Sequence, residues 1–217
     1  ALARLALIRR VQLALVSGRP AADLARLAGP PDGTLLVGSH GAERGRMAIG
    51  APLLEPVKLS PTRRERLAAV SAALRQLAES APGAWVEPKP FAAVFHTRPM
   101  SDRSAAATLE DQAAALGKAL GGHVLAGKMV VEVSVLPAGK AAALTRLKKA
   151  VAADRLLFAG DDTTDELALR TIHPPDVGIK IGPGPTAAEL RLLNPPAVVE
   201  FLNHLSNALG DATPLGT

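Results

Sequence analysis

The chain has 217 residues, 48% hydrophobic and 21% charged, with a formal net charge of +5 and no cysteine. That is room for one large domain or two small ones of ordinary globular composition, and it excludes disulfides and thiolate metal sites. Aromatics are only 2% with no tyrosine, and the Arg and Lys are dispersed, so a small phosphorylated ligand suits the basic balance better than nucleic acid or a membrane surface.

No apolar stretch is long enough to span a bilayer. The opening ALARLALIRRVQLALV is interrupted by Arg9 and Arg10, so it reads as a helix end followed by a strand rather than a signal peptide. A cytoplasmic protein is the expectation. The first residue is Ala rather than Met, as expected of a trimmed chain.

VQLALVSGRP is an apolar run ending in Ser, Gly and Pro, the pattern of a buried parallel strand that stops at a functional loop. AADLARLAG predicts a short helix closed by Gly29. TLLVGSHGAE predicts a second strand. Further on come the strand DRLLFAGDD, the helix TTDELALRTI, the strand VGIKIG and the helix PPAVVEFLNHLSNAL. Strands alternating with helices predict an α/β fold with a Rossmann-like parallel sheet. The middle of the chain differs. A long helix with Ser60 as N-cap and Pro61 in its first turn precedes the strands AWVEPK and AAVFHTR. A helix over roughly SAAATLEDQAAALGKAL and the strands HVLA and KMVVEVSV follow. This predicts an inserted αββαββ unit over 51–135, with the core built from 1–50 and 136–217. The last residues, GDATPLGT, read as a loose tail.

The chemistry gathers at strand ends, where ligands bind in parallel sheets. Asp161 and Asp162 end LLFAGDD, Gly160 permits a sharp turn, and Asp165 falls in the first turn of the next helix. Carboxylates without Cys or clustered His suit Mg²⁺ better than Zn²⁺. The plainer reading is a helix start, since Asp and Thr are common N-caps. Ser17 ends another strand, where its hydroxyl and the following N–H groups, helped by a helix N-terminus, can hold a phosphate oxygen. Lys140 can neutralise the same phosphate; alone, each of the two reads as a turn or surface residue.

Ser17, Lys140 and GDDTTDE together resemble the second, third and fourth motifs of the haloacid dehalogenase superfamily of phosphotransferases. LVSGRP, GSHGAE, VEPKPFAAVFHTR, GKMVVEV and GDDTTDE follow the order and spacing of the trehalose-6-phosphate phosphatase family, across nearly the whole chain. The resemblance implies a hydrolase of trehalose biosynthesis. Its Mg²⁺ would be held by Asp161, with Asp165 a direct or second-layer partner and Asp162 supporting the loop. It implies that the 51–135 insert is a cap closing over a sugar phosphate. There Glu87, Lys89 and Arg98 would grip the sugar or close on the phosphate. Lys128 and Glu132 would hydrogen-bond sugar hydroxyls, and His40 and Glu43 would help position the cap. Without the resemblance, Lys128 and Glu132 read as a cross-strand ion pair, His96 points elsewhere than Arg98, and IKIGPGPT is structural.

The superfamily's nucleophile and its acid/base are the two aspartates of an Asp-x-Asp-Gly-Thr motif ahead of the Ser17 strand. The first aspartate of this chain is Asp23. Truncation is the expected reason, ahead of a degenerate pseudoenzyme. Gly139-Lys140-Ala141 also departs from the family's Asp-Lys-Gly or Asn-Lys-Gly, which loosens the match at Lys140. The expectation is a phosphomonoesterase acting through an aspartyl-phosphate, whose given chain binds Mg²⁺ poorly and hydrolyses nothing until its first strand is restored. The rivals are a phosphatase of sucrose or glucosylglycerol phosphate, and a non-catalytic sugar-phosphate-binding or regulatory module.

Overall fold

A computed structural model describes residues 1–137 and 139–211. The chain divides into two compact units, Ala1–Pro56 with Gly139–Thr217, and Val57–Ala138.

The first unit begins with α1 (Leu2–Ala6), β1 (Ala14–Val16), α2 (Ala21–Ala28), β2 (Leu35–Gly38), β3 (Glu43–Ala48) and β4 (Ala51–Leu54). As its sequence predicts, α2 ends on Gly29, which takes the left-handed conformation at φ 50°. β1 and β2 are parallel. β3 and β4 then return antiparallel on β2 and on each other. The segment Ala51–Leu54, expected in the insert, is therefore the outer strand of this sheet. It is fixed there by ladder pairing from Gly45↔Leu54 to Ala48↔Ala51.

The second unit runs α3 (Pro61–Glu79), β5 (Trp85–Pro88), β6 (Ala92–His96), α4 (Arg103–Ala119), β7 (His123–Gly127) and β8 (Val130–Ser134). Ser60 caps α3 by accepting from the Arg63 N–H, and Asp102 caps α4 by accepting from Ser104 and Ala105. The four strands form an antiparallel sheet in the order β5-β6-β8-β7. Its alternation decides what faces what. Ala93 and Phe95 of β6 and Val131 and Val133 of β8 pack with Val70 and Leu74 of α3 and Ala113 of α4. Trp85, Glu87, Val94, His96 and Glu132 have the opposite parity and occupy the other face. Each large apolar side chain buried in this way stabilises the unit by about 1.5–3 kcal/mol.

The chain returns to the first unit with α5 (Lys140–Ala150), β9 (Leu157–Gly160), α6 (Thr163–Leu169), β10 (Val177–Ile181), β11 (Leu190–Leu192) and α7 (Pro195–Asp211). β9, β10 and β11 form a second, wholly parallel sheet with β10 in the middle. The single parallel sheet expected from the sequence is thus two hydrogen-bonded sheets among the described residues. They share apolar contacts: Val16 of β1 packs on the cluster of Leu144, Phe158, Ala168 and Leu169. Of the expected loose tail, Gly210 and Asp211 are the end of α7; the remainder lies outside the described residues.

Leu74 is fully buried in the second unit's core. Leu74→Ala should lower stability by about 2–5 kcal/mol, read as a fall in the urea midpoint of the transition reported by that unit.

Candidate functional site

The loop from β9 into α6 is organised by its own carboxylates. Asp162 is the N-cap, and its Oδ1 accepts from the Asp165 N–H and the Thr164 hydroxyl, each at 2.7 Å. Asp165 replies through Oδ2, accepting from the Asp161 and Asp162 N–H groups at 3.1 and 3.2 Å. This reciprocal capping box satisfies donors that a helix start leaves without partners. Gly160 is needed for room rather than for a turn: a Cβ there would lie 2.4 Å from the Asp165 side chain.

Lys140 opens α5 and reaches into this loop. Its Nζ donates to Asp165 Oδ1 at 2.7 Å and to Asp162 Oδ2 at 3.2 Å. Lys140 is 5% exposed and Asp165 4%. A buried ion pair is tolerated only when its remaining polar atoms are satisfied, and Asp165 meets that condition with both oxygens engaged. Burial tends to raise the Asp162 carboxyl, but hydrogen bonds from Thr164 and the Asp165 N–H, with the Lys140 charge, outweigh it and bring it to about 2.

Lys180, read from the sequence as part of a structural strand, is a second buried cation at this loop. It is 6% exposed, and its Nζ donates to the Asp161 carbonyl at 2.6 Å. The signal was present in IKI: a lysine inside an apolar run of a parallel strand needs a buried partner. Glu166 secures the loop after β10, accepting from the Ala187 N–H at 2.6 Å and the Thr186 hydroxyl at 2.9 Å. Those two bonds, the Ala187 N–H foremost, hold its carboxyl below the usual range.

Ser17 follows β1. Its Oγ accepts from the Arg19 N–H at 3.1 Å, leaving its own proton for another acceptor. One N–H at the start of α2 is taken by the protein itself. Pro20 supplies no side-chain cap, and Glu43 Oε2 accepts from the Ala21 N–H at 2.6 Å. Glu43, expected to help position the cap, puts its carboxylate at the positive end of this helix. His40 is a joint within the first unit. It sits in the left-handed region at φ 54°. Its N–H donates to the Ser17 carbonyl at 3.0 Å, and its own carbonyl accepts from the Gly139 N–H at 2.6 Å, one residue before Lys140. Its ring fills the space a Cβ on Gly18 would need, 2.5 Å away. Ser17, His40, Lys140, Asp165 and Asp161 therefore belong to one connected corner.

As a metal site this corner is incomplete. Asp162 is used as a helix cap, in keeping with a loop-supporting role, and Asp165 is the partner of Lys140, so neither carboxylate is open for direct ligation. The Asp161 carboxylate has no hydrogen bond or ion pair among the described residues and is exposed. Among those residues, no three His, Cys, Asp or Glu side chains are grouped to hold a metal. Mg²⁺ is commonly held by one or two carboxylates together with waters and phosphate oxygens, and Asp161 is the carboxylate of this loop that could contribute to such a shell.

In the second unit, the face opposite the helices is polar. Lys89 Nζ donates to Glu132 Oε2 at 2.7 Å, and His96 Nε2 lies 3.0 Å from Glu87 Oε2. His96, set aside by the sequence reading, thus lies on the same face as Glu87 and contacts it diagonally across the strands. Lys128 is not on a strand but in the exposed turn between β7 and β8, so pleat parity does not align it with Glu132. Arg98 lies beyond β6 and is exposed.

Residues 1–194 match the model of the trehalose-phosphatase family. The chain is 35% identical over 124 residues to a bifunctional trehalose-6-phosphate synthase/phosphatase of Thermoproteus tenax, covering 55% of this chain and 17% of that protein. It is 31% identical over 201 residues to a trehalose-6-phosphate phosphatase of Escherichia coli, covering 91% and 72%. The chain thus spans under a fifth of the first relative's length. A crystal structure of the Aspergillus fumigatus trehalose-6-phosphate phosphatase superimposes with a TM-score of 0.70 at 24% identity, over 94% of this chain and 81% of that one. This last likeness is one of fold.

Two outcomes test this geometry. Gly160→Ala should cost about 1–3 kcal/mol by forcing Asp165 aside, measured by thermal unfolding. The depressed Asp162 carboxyl contributes stability that is present above its ordinary 3.8 and lost as pH falls toward about 2. Asp162→Asn should therefore flatten the acid side of the unfolding midpoint against pH over that window, and an unchanged slope would show that Asp162 carries none of it.

Proposed function

This chain belongs to the trehalose-phosphatase family, and from that premise we propose that it supplies the phosphate-holding and sugar-reading parts of a trehalose-6-phosphate phosphatase. The observation that carries the reading is the buried lysine of the first unit. Lys140 has three ammonium protons and spends two on Asp162 and Asp165, so the third is available to a phosphoryl oxygen. The Ser17 hydroxyl proton is free for the same task, and His40 holds the two loops together. Fixed donors of this kind stabilise charge without reorganising, which is how a transferring phosphoryl group is held. In the second unit, Glu87, Lys89, Glu132 and the exposed Arg98 and Lys128 are assigned to the hydroxyls and phosphate of the substrate.

Phosphatases of this kind generally use a divalent metal. Because this chain's carboxylates do not by themselves form a cage for one, no step of the reading runs through it. The 217 residues contain no Asp-x-Asp pair at all, so the nucleophile of an aspartyl-phosphate route is not among them. The alternative reading is a sugar-phosphate-binding module without turnover.

The coding sequence ahead of the Ala1 codon separates the two. An in-frame Asp-x-Asp-Gly-Thr is expected there, and its absence removes the enzyme reading. In the protein that carries it, Ser17→Ala or Lys140→Met should lower phosphate release from trehalose 6-phosphate by about 10²–10³-fold. Equal or faster release from sucrose 6-phosphate would overturn trehalose as the substrate. Glu132→Gln should slow hydrolysis of trehalose 6-phosphate more than that of a small aryl phosphate; equal loss on both would remove Glu132 from sugar reading.

A further inference from the structure

Trp85 is the only tryptophan of the chain, and it is 47% exposed. It begins β5, an edge strand of the second unit's sheet. Its partner across the ladder is His96, and the two rings stack with centroids 4.2 Å apart and planes 8° from parallel. His96 Nε2 also lies 3.0 Å from Glu87 Oε2, two residues along β5 from Trp85. The order of contact is carboxylate, imidazole, indole. Each group restricts the next, so the indole stands in a fixed orientation before anything binds. The Lys89–Glu132 pair lies on the same face, at the strand position where Glu87, Val94 and Glu132 form one cross-strand row.

This combination has a chemical reading. The helices cover the opposite face of the sheet, and nothing in that core uses the indole. A half-exposed, rigid aromatic surface beside carboxylates and an ammonium group matches a pyranose. Such a ring offers a face of polarised C–H bonds and a rim of hydroxyls. The negative face of an aromatic ring attracts those C–H groups, and the carboxylates accept from the hydroxyls. Ligand sites combine apolar and aromatic surface with a few placed polar groups in this way, and pre-orientation reduces the ordering cost of binding.

We propose that Trp85, backed by His96 and oriented through Glu87, is the stacking contact for a hexopyranose ring of the substrate. The proposal rests on the sugar-phosphate reading above and adds to it a specificity contact on an aromatic side chain. In it, Trp85 touches the sugar, while His96 acts through Trp85 as a positioning residue.

Because Trp85 is the sole tryptophan, its emission reports this position alone. The 217-residue chain is titrated with trehalose 6-phosphate, trehalose and inorganic phosphate, following tryptophan emission and, in parallel, heat of binding. Both sugars should shift the emission saturably, while phosphate binds without moving it. Trp85→Ala should weaken trehalose 6-phosphate binding about 3- to 10-fold and leave phosphate affinity unchanged. Trp85→Phe should retain most of the affinity, and an unchanged unfolding midpoint confirms that both variants fold. His96→Ala should weaken sugar binding while broadening the emission of the free protein, a change that a residue contacting only the sugar would not produce. If calorimetry detects trehalose 6-phosphate but emission is static and Trp85→Ala binds as tightly, the stacking proposal is wrong and the sugar-phosphate reading stands. If calorimetry detects no trehalose 6-phosphate binding, both fall.

Discussion

The ion pair between Lys140 and Asp165 is the constraint on which the first unit's corner depends. Removing either charge from water is costly, and leaving one without the other would be worse. The chain compensates by giving each carboxylate oxygen of Asp165 a separate task. Oδ1 receives the ammonium, and Oδ2 receives two backbone N–H groups at the mouth of α6. The same lysine reaches Asp162, which caps that helix. One buried contact thus fixes the end of β9, the start of α6 and the start of α5 together. Gly160 leaves the space for it, and Lys180 clamps the Asp161 carbonyl from the neighbouring strand.

The fixation extends through His40 by backbone bonds rather than charge. Its left-handed conformation is unfavourable for a residue with a side chain. It is held by bonds to Ser17 on one side and Gly139 on the other. This ties the serine loop to the loop that delivers Lys140. Two donors suited to an anion are then held by a common support, which is what preorganisation requires. The carboxylates of Asp162 and Asp165 are spent on holding the corner together, whereas that of Asp161 has no partner among the described residues.

The second unit reaches a functional face by a different principle. Strand alternation sends Ala93, Phe95, Val131 and Val133 into the helices. The same alternation necessarily turns Trp85, Glu87, His96 and Glu132 the other way. Apolar packing sets the order of the sheet, and that order fixes the backbone from which the polar row on its far side projects. Its groups then find one another across strands, as the Lys89–Glu132 and Glu87–His96 contacts do.

Most elements were legible in the sequence because their signals are local: apolar periodicity, the Ser60 cap, and Gly29 at a helix end. The hairpin of β3 and β4 was not, since ERGRMA carries charged residues and its identity as a strand comes only from ladder pairing with β2. β11 was missed for a similar reason, because a three-residue strand is defined by its neighbour β10. The sequence by itself determined the family and which residue types gather at the strand ends. Tertiary structure decided which of them remain free to act. Asp165 was committed to Lys140, 25 positions away, Glu43 to the start of α2, and Lys180 to the Asp161 carbonyl. A carboxylate's availability is set by whichever donors folding brings to it, and those donors are distant in the chain.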